Sequence, residues 1–251
     1  MTRLSVNLNA VAMLRNRRNV GWPSVTNIAR LVLDAGADGI TVHPRPDERH
    51  IRRSDVFDLI DVLKDYPEAE FNIEGFPSDD FLTLVEAAQP DQVTFVPDDP
   101  DQSTSDHGWD IDASAELLSS AIARMKAAQI RVSLFIDEDP EAPVLAAAIG
   151  ADRVEIFTGP YGASFPMAAG RAHLKAIVAT SHAAELAAGD ANDGAGIGVN
   201  IGHDLTLENL PALVAAMPRC DEASIGHGIT ADALLMGFPE AVRRYKAALE
   251  T

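Results

Sequence analysis

Short β-branched runs in this chain end again and again on residues that can move a proton or grip an anion. Asn7 and Asn9 close the first run, His43 the second and Glu74 the third. Glu155 falls inside the sixth, Asn200 and His203 close the seventh, and His227 closes the eighth. Imidazoles beside carboxyl groups are the material of general acid and base catalysis near neutral pH, because an unperturbed histidine titrates at about 6.5. Taken alone, each of these residues reads equally as a satisfied, partly buried polar group. Six runs offering such groups at the same end point to a site. Immediately behind the second run, GITVHPRPDERHIRRSD (residues 39–55) crowds Arg45, Arg49, Arg52 and Arg53 together with His43 and His50, in a chain of formal net charge −18. Arg45 can make a forked, charge-assisted contact that a lysine ammonium cannot copy, so the stretch reads as an anion subsite with His50. Arg52 and Arg53 are left to a solvated face. Gly202, Gly226 and Gly228 follow the seventh and eighth runs, where free backbone N–H groups commonly take a phosphate. The same glycines would serve equally well as tight turns. Two anion subsites imply two phosphates.

The lysines narrow the chemistry. An enzyme-bound imine needs a lysine in the site, and the chain has only Lys64, Lys126, Lys175 and Lys246, all in segments that read as outer helices. Neither a catalytic Schiff base nor a bound pyridoxal cofactor is therefore expected. A barrel metallohydrolase often carries a histidine pair on its first strand, where this chain reads Asn-Leu-Asn; His43, His203 and His227 remain the histidines that could gather around a metal. The expectation is a site with no metal.

Eight strands are needed to bring these groups together, and eight can be read: 4–9, 39–43, 70–75, 92–97, 131–137, 153–158, 196–202 and 222–227. Each is short and close to continuously apolar, as a strand buried on both faces should be. Helical patterns lie between them. Ser24 reads as an N-cap ahead of Val25, Ile28, Ala29, Val32 and Leu33, with Gly36 at the end, and Ser54, Ser78 and Thr230 read as later caps. DAGADGITVH and AAIGADRVEIF repeat one design of helix end, glycine turn and strand. Eight β/α units in 251 residues fit one single-domain α/β structure spanning 1–251, a (β/α)8 TIM barrel. A doubly wound sheet is the alternative, but no G-x-G-x-x-G follows the first strand. In a barrel the strand ends converge on one mouth. PDDPDQSTSDHGWD (97–110), after the fourth strand, is longer than a barrel loop needs and reads as a lid or a loose connection. ELAAGDANDGAG (185–196) lies on the opposite rim and is given no catalytic role.

Composition sets the outer bounds. With 47% hydrophobic residues the chain can bury a large core. Its acidity argues against a nucleic-acid groove, which needs a broad basic surface. One cysteine, Cys220, cannot form an internal disulfide, and no signal peptide or run of about 18 apolar residues is visible. A cytoplasmic protein acting on small phosphorylated molecules, without nucleic-acid or membrane partners, is expected.

With these residues in place the chain resembles the pyridoxine 5′-phosphate synthase family of vitamin B6 biosynthesis from the first strand to the last helix. The carriers are SVNLNAVAMLRNRR, GADGITVHPRPDERHIRRSD, FNIEG, VTFVPDDPDQSTSDHGWD, VSLFID, VNIGHDLT and SIGHGI. The resemblance implies a barrel that condenses 1-deoxy-D-xylulose 5-phosphate with 3-amino-2-oxopropyl phosphate, releasing phosphate and water. The substrate's own amine supplies the imine, in keeping with the lysine positions. It further implies His43 and Glu74 as general bases, His203 as general acid, and Glu155 as a group stabilising a charged intermediate. Asn7, Asn9, Arg45, His50 and Thr104 would hold the sugar phosphate; Arg18, Gly202, Asp204, Gly226 and His227 would hold the aminoketone phosphate or the intermediates formed from it. Many relatives have Asp-His where this chain has Asn9 and Ala10; of the two, Asn9 can hydrogen-bond a sugar hydroxyl and Ala10 cannot. An octamer is implied by resemblance alone. A metal-dependent phosphosugar isomerase or epimerase, and a non-catalytic phosphosugar-binding barrel, are the competing readings.

Overall fold

The computed structural model describes residues 1–18, 20–98, 105–187 and 196–250. Eight parallel strands close into a barrel in chain order: β1 (Arg3–Asn7), β2 (Gly39–Val42), β3 (Glu70–Gly75), β4 (Gln92–Phe95), β5 (Arg131–Ile136), β6 (Arg153–Phe157), β7 (Gly198–Gly202) and β8 (Glu222–Ile225). Among the described residues the helices are α1 (Asn9–Asn16), α2 (Val25–Asp34), α3 (Arg53–Leu63), α4 (Asp79–Ala88), α5 (Ala115–Ala127), α6 (Ala142–Ala148), α7 (Gly159–Ser164), α8 (Ala168–Leu186), α9 (Leu210–Ala216), α10 (His227–Met236) and α11 (Phe238–Leu249). The expected (β/α)8 architecture is the one observed.

The strands are not the continuous apolar runs that the sequence suggests. They alternate with a period of two, as strand geometry requires. Leu4, Val6, Ile40, Val42, Phe71, Ile73, Val93, Phe95, Val132, Leu134, Val154, Ile156, Val199 and Ile201 join the hydrophobic core beneath the helices. The residues between them are polar and meet inside the barrel. Ser5 Oγ lies 2.7 Å from Thr41 Oγ1, and Thr94 Oγ1 donates to Asn72 Oδ1 at 3.1 Å. At the floor, Arg3, Arg131 and Arg153 surround Glu70. Burying polar groups is costly unless they are paired; the Ser5–Thr41 and Asn72–Thr94 pairs join neighbouring strands, while Glu70 takes its arginines from β1, β5 and β6 across the barrel floor.

A second regularity fixes the lower rim. The aspartate just ahead of β2, β4, β6 and β8 accepts the N–H of a residue in the preceding strand: Leu4 to Asp38, Phe71 to Asp91, Val132 to Asp152 and Val199 to Asp221, at 2.7 to 2.9 Å. This is the physical content of the repeated GAD segments. Gly36 and Gly150 each end a helix at positive φ, +101° and +93°, and the aspartate two residues later locks the strand entry.

Helix starts follow the sequence in part. Ser24 and Ser78 accept the N–H groups of Asn27 and Phe81. Ser54 is no cap: α3 begins at Arg53, and Asp55 takes the N–H of Arg52 instead, at 2.7 Å. Thr230 lies inside the first turn of α10, which begins at His227. All four lysines sit on the outer helices or, for Lys64, at the C-cap of α3.

Candidate active site

Because inward positions recur every second residue, the last inward residues of the strands are forced to share the upper mouth. They bound a cavity of about 500 Å³ lined by Asn7, Glu74, Glu155 and Phe157 from the strands and by His43 just past the end of β2. Asn9, Ala10 and Met13 of α1, and Gly226, His227 and Gly228 around the start of α10, close one side; Arg45, His50, Ser105, Asp106, His203 and Asp204 close the rest. No lysine lines it.

Asn9 does not close β1 as expected. It opens α1, and its Oδ1 accepts the backbone N–H of His43 at 2.9 Å, while Asn7 Oδ1 accepts the N–H of Asn9 at 2.9 Å. Asn7 Nδ2 reaches Glu74 Oε2 at 3.3 Å. The asparagine pair thus ties the start of α1 to the two acid–base candidates. His43 Nδ1 stands 3.9 Å from Glu74 Oε2, and its Nε2 stands 3.5 Å from Asp98 Oδ2. The three side chains stand in a row, with His43 in the middle.

The basic loop after β2 is pinned from beneath. Arg15 and Asp55, both buried, form a bidentate pair at 2.5 and 2.9 Å, Arg15 also donates to the carbonyl of His50, and Asn16 donates to the same carbonyl at 2.8 Å. His50 Nδ1 accepts the N–H of Ile51 at 2.9 Å, so the neutral ring carries its proton on Nε2. Arg45 is 4% exposed and its Nη1 lies 3.1 Å from Asp98 Oδ2. A carboxylate from the segment after β4 therefore stands where a phosphate would compete for Arg45. Arg52 and Arg53 are exposed, Arg53 beside Asp80 at 3.0 Å.

Burial decides the protonation states. His203 is held down at about 4 by desolvation, and His50 also at about 4 by desolvation and then Arg45. His43 lies well below the usual imidazole range through desolvation and then His50, Arg45 and His203. Desolvation and then Asp98 push Glu74 up to about 8; desolvation and then Glu74 push Glu155 well above the carboxylate range. The expectation of imidazoles titrating near 6.5 fails for His43, His50 and His203 because burial strips water from the rings. At pH 7 the site holds His43, His50 and His203 as neutral imidazoles and Glu74 protonated.

The family model described as pyridoxal phosphate biosynthesis protein PdxJ matches residues 4–251. The chain belongs to the PdxJ family. Pyridoxine 5′-phosphate synthase of Brucella anthropi is 57% identical over 250 residues, covering 98% of each chain, and that of Brucella abortus strain S19 is 56% identical with the same coverage. Solved structures that share the barrel include a structural-study protein from Aquifex aeolicus VF5, with TM-score 0.65 and 14% identity over 99% of this chain and 93% of that one. Tryptophan synthase from M. tuberculosis gives TM-score 0.62 at 12% identity over 99% and 92%. At such identities these two speak for the fold alone.

In this PdxJ chain the structure brings together His43, Glu74, Glu155, His203, Asn7, Asn9, Arg45, His50, Asp204, Gly226 and His227. Gly202 lies one layer down, where a Cβ would strike Glu155 Oε1, so glycine there makes room for the buried carboxyl. Arg18 is exposed after α1 and does not line the cavity. Thr104 lies outside the described residues. Sequence reasoning missed Asp98, Phe135 and Phe157; the inward parity of β5 and β6 was the signal that would have found the two phenylalanines. Among the described residues no three histidine, cysteine, aspartate or glutamate side chains are grouped to hold a metal, and no helix is long and apolar enough to cross a membrane.

The burial difference between Arg45 and Arg53 yields a direct contrast. Arg45→Ala should raise the KM for the phosphorylated sugar about 30-fold, an effect of about 2 kcal/mol for a charge-assisted contact offset in part by Asp98. Arg53→Ala should stay within about twofold. Steady-state kinetics on both variants decide it, and equal effects would mean that the subsite is misplaced.

Proposed function

We propose that this PdxJ protein is a pyridoxine 5′-phosphate synthase, condensing 1-deoxy-D-xylulose 5-phosphate with 3-amino-2-oxopropyl phosphate and releasing phosphate and water. The observation that carries the reading is full-length identity of 57% to a protein of that name, together with a cavity in which His43, Glu74 and His203 share one mouth.

The chemistry asked of the site is proton movement. Imine formation removes protons from the substrate amine and delivers one to a departing hydroxyl; loss of phosphate and ring closure repeat such transfers at carbon and oxygen. The neutral imidazoles of His43 and His203 begin as acceptors and the protonated Glu74 begins as a donor, which keeps the starting role that the resemblance gives His43 and reverses those of Glu74 and His203. Dianionic phosphates at Arg45 and at the start of α10 raise the imidazole pKa values, so that each ring can return its proton later in the cycle. Glu155, neutral and buried beneath, can ionise to balance a cationic intermediate. Asn7, Asn9, Arg45 and His50 hold the sugar phosphate; Gly226, His227, Asp204 and Gly202 form the side that receives the aminoketone phosphate, with Arg18 and Thr104 completing the sites from residues beyond the described cavity. No metal and no bound pyridoxal phosphate take part.

The protein works in the cytoplasm as an oligomer, the octamer of its family. Trp22, Leu234 and Leu235, at 71%, 76% and 87% exposure, supply apolar surface for contacts between copies.

The deciding experiment incubates purified protein with both phosphorylated substrates, before and after exhaustive chelation, and tracks pyridoxine 5′-phosphate. Product at the same rate in both arms is expected. No product would overturn the synthase reading, and activity lost on chelation and restored by zinc or manganese would favour a metal-dependent isomerase or epimerase.

A further inference from the structure

Three consecutive residues at the end of β6, Phe157, Thr158 and Gly159, all bear on His203, which arrives from β7. His203 has φ +79° and Asp204 comes next at +54°. Few non-glycine residues adopt such backbone, asparagine, aspartate and histidine more often than the rest, and two in succession call for surroundings that hold them there.

The surroundings are specific. The backbone N–H of Thr158 donates to the Gly202 carbonyl at 2.9 Å. The Thr158 hydroxyl lies 2.6 Å from that carbonyl and 2.6 Å from the carbonyl of His203. A hydroxyl has one proton to give. Both carbonyls flank His203 in the chain, so whichever of them the hydroxyl serves, it braces the His203 backbone. Thr158 is fully buried, so water cannot take its place. On the far side of the turn, Asn209 Nδ2 donates to the Asp204 carbonyl at 2.9 Å.

The ring of His203 is held as firmly as its backbone. Phe135 and Phe157 each place a ring centroid 5.2 Å from it, tilted by 57° and 84°. Phe157 can lie back in this way because residue 159 is glycine; any Cβ there would strike the phenyl ring.

We infer that Phe157, Thr158 and Gly159 are a positioning unit for His203. The Thr158 hydroxyl fixes the left-handed backbone, and Phe157, lodged over Gly159, fixes the imidazole plane. Thr158 touches no reacting atom; it acts through His203. A misplacement of about 1 Å can cost about 10²-fold in rate, which sets the scale of the effect.

Thr158→Val keeps the shape and removes the donor, whereas Thr158→Ser keeps the donor. The valine variant should lose about 10- to 100-fold in kcat while KM for both substrates stays within about threefold, and the serine variant should recover to within about threefold of wild type. A merely structural threonine would lower Tm and the folded fraction but leave kcat per folded molecule unchanged. A second readout needs no activity: in protein labelled with 15N-histidine, the His203 signal, assigned by its loss in His203→Asn, should shift or broaden in Thr158→Val. If the valine variant does not fold, Phe157→Leu, which leaves Thr158 intact, must move the same signal. An unmoved His203 signal with kcat within twofold of wild type, or a serine variant as impaired as the valine one, would overturn the inference. The kinetic arm rests on the synthase reading and the spectroscopic arm does not, so a moved signal in a protein that makes no product would sink that reading alone.

Discussion

Glu74→Gln is expected to lower kcat by about 10²- to 10⁴-fold while the sugar phosphate still binds. Glu74 is the last inward side chain of β3, hydrogen-bonded by Asn7 at 3.3 Å and 3.9 Å from His43. Desolvation and Asp98 lift its carboxyl to about 8, so at pH 7 the free protein carries it protonated. Glutamine copies the size and neutrality of that form but neither gives nor takes a proton, which separates chemistry from packing. Stability against pH offers an independent check. A carboxyl raised in the folded state stabilises fully below its ordinary value of 4.5, and that contribution is lost as pH rises toward 8. The glutamine variant has nothing to ionise. Its Tm should therefore gain on wild type between pH 5 and pH 9, and a constant difference across that range would show that the carboxyl is not held neutral. Near wild-type turnover would remove Glu74 from the acid–base set.

The eight strands and the residues at their upper ends were legible because both depend on short-range pattern. Helix-to-strand alternation marks the barrel, and a barrel sends every strand end to one mouth. What the sequence concealed is parity. Reading RVEIF or EFNIEG as apolar runs hides that Glu155 and Phe157, or Asn72 and Glu74, face inward while their neighbours Val154, Ile156 and Ile73 face the helices. Read with period two, RVEIF would have brought Phe157 into the site and RVSLFI would have brought Phe135 beside His203. The lysine positions carried over intact, since exclusion from a mouth needs only the right element. Protonation did not carry over. The histidine types suggested groups near 6.5, but a pKa depends on how much water a side chain keeps, and that is set by all eight strands together. Asp98 was invisible for a related reason: its partner Arg45 lies on a different β/α unit, 53 positions away by residue number, and no local spacing links them. Arg18 marks the opposite case, a residue carried by resemblance that this single chain leaves exposed.

His203→Asn should also cost about 10²- to 10⁴-fold in kcat, and asparagine is chosen for the backbone. At φ +79° most residues would add strain, while asparagine tolerates the left-handed region better than other non-glycine residues. The variant should therefore keep the turn held by Thr158 and Asn209, fold normally, and bind the sugar phosphate. What it loses is a ring fixed between Phe135 and Phe157 at the rim of the cavity, neutral at pH 7 because desolvation holds it at about 4. In the free wild type a neutral ring is a proton acceptor, and a substrate dianion beside it raises its pKa so that it can return the proton to a departing oxygen. Without the ring, condensation should stall before ring closure, with an imine accumulating that ultraviolet absorbance can detect in a single-turnover mixture. The pH dependence of stability has the opposite sign to that of Glu74. A histidine lowered from 6.5 to about 4 leaves the folded state short of protons relative to the unfolded chain, so wild type loses stability as pH falls through that interval, and His203→Asn lacks that share of the loss. Turnover of the asparagine variant near the wild-type rate would show that His203 neither gives nor takes a proton in the rate-limiting chemistry, whatever holds it in place.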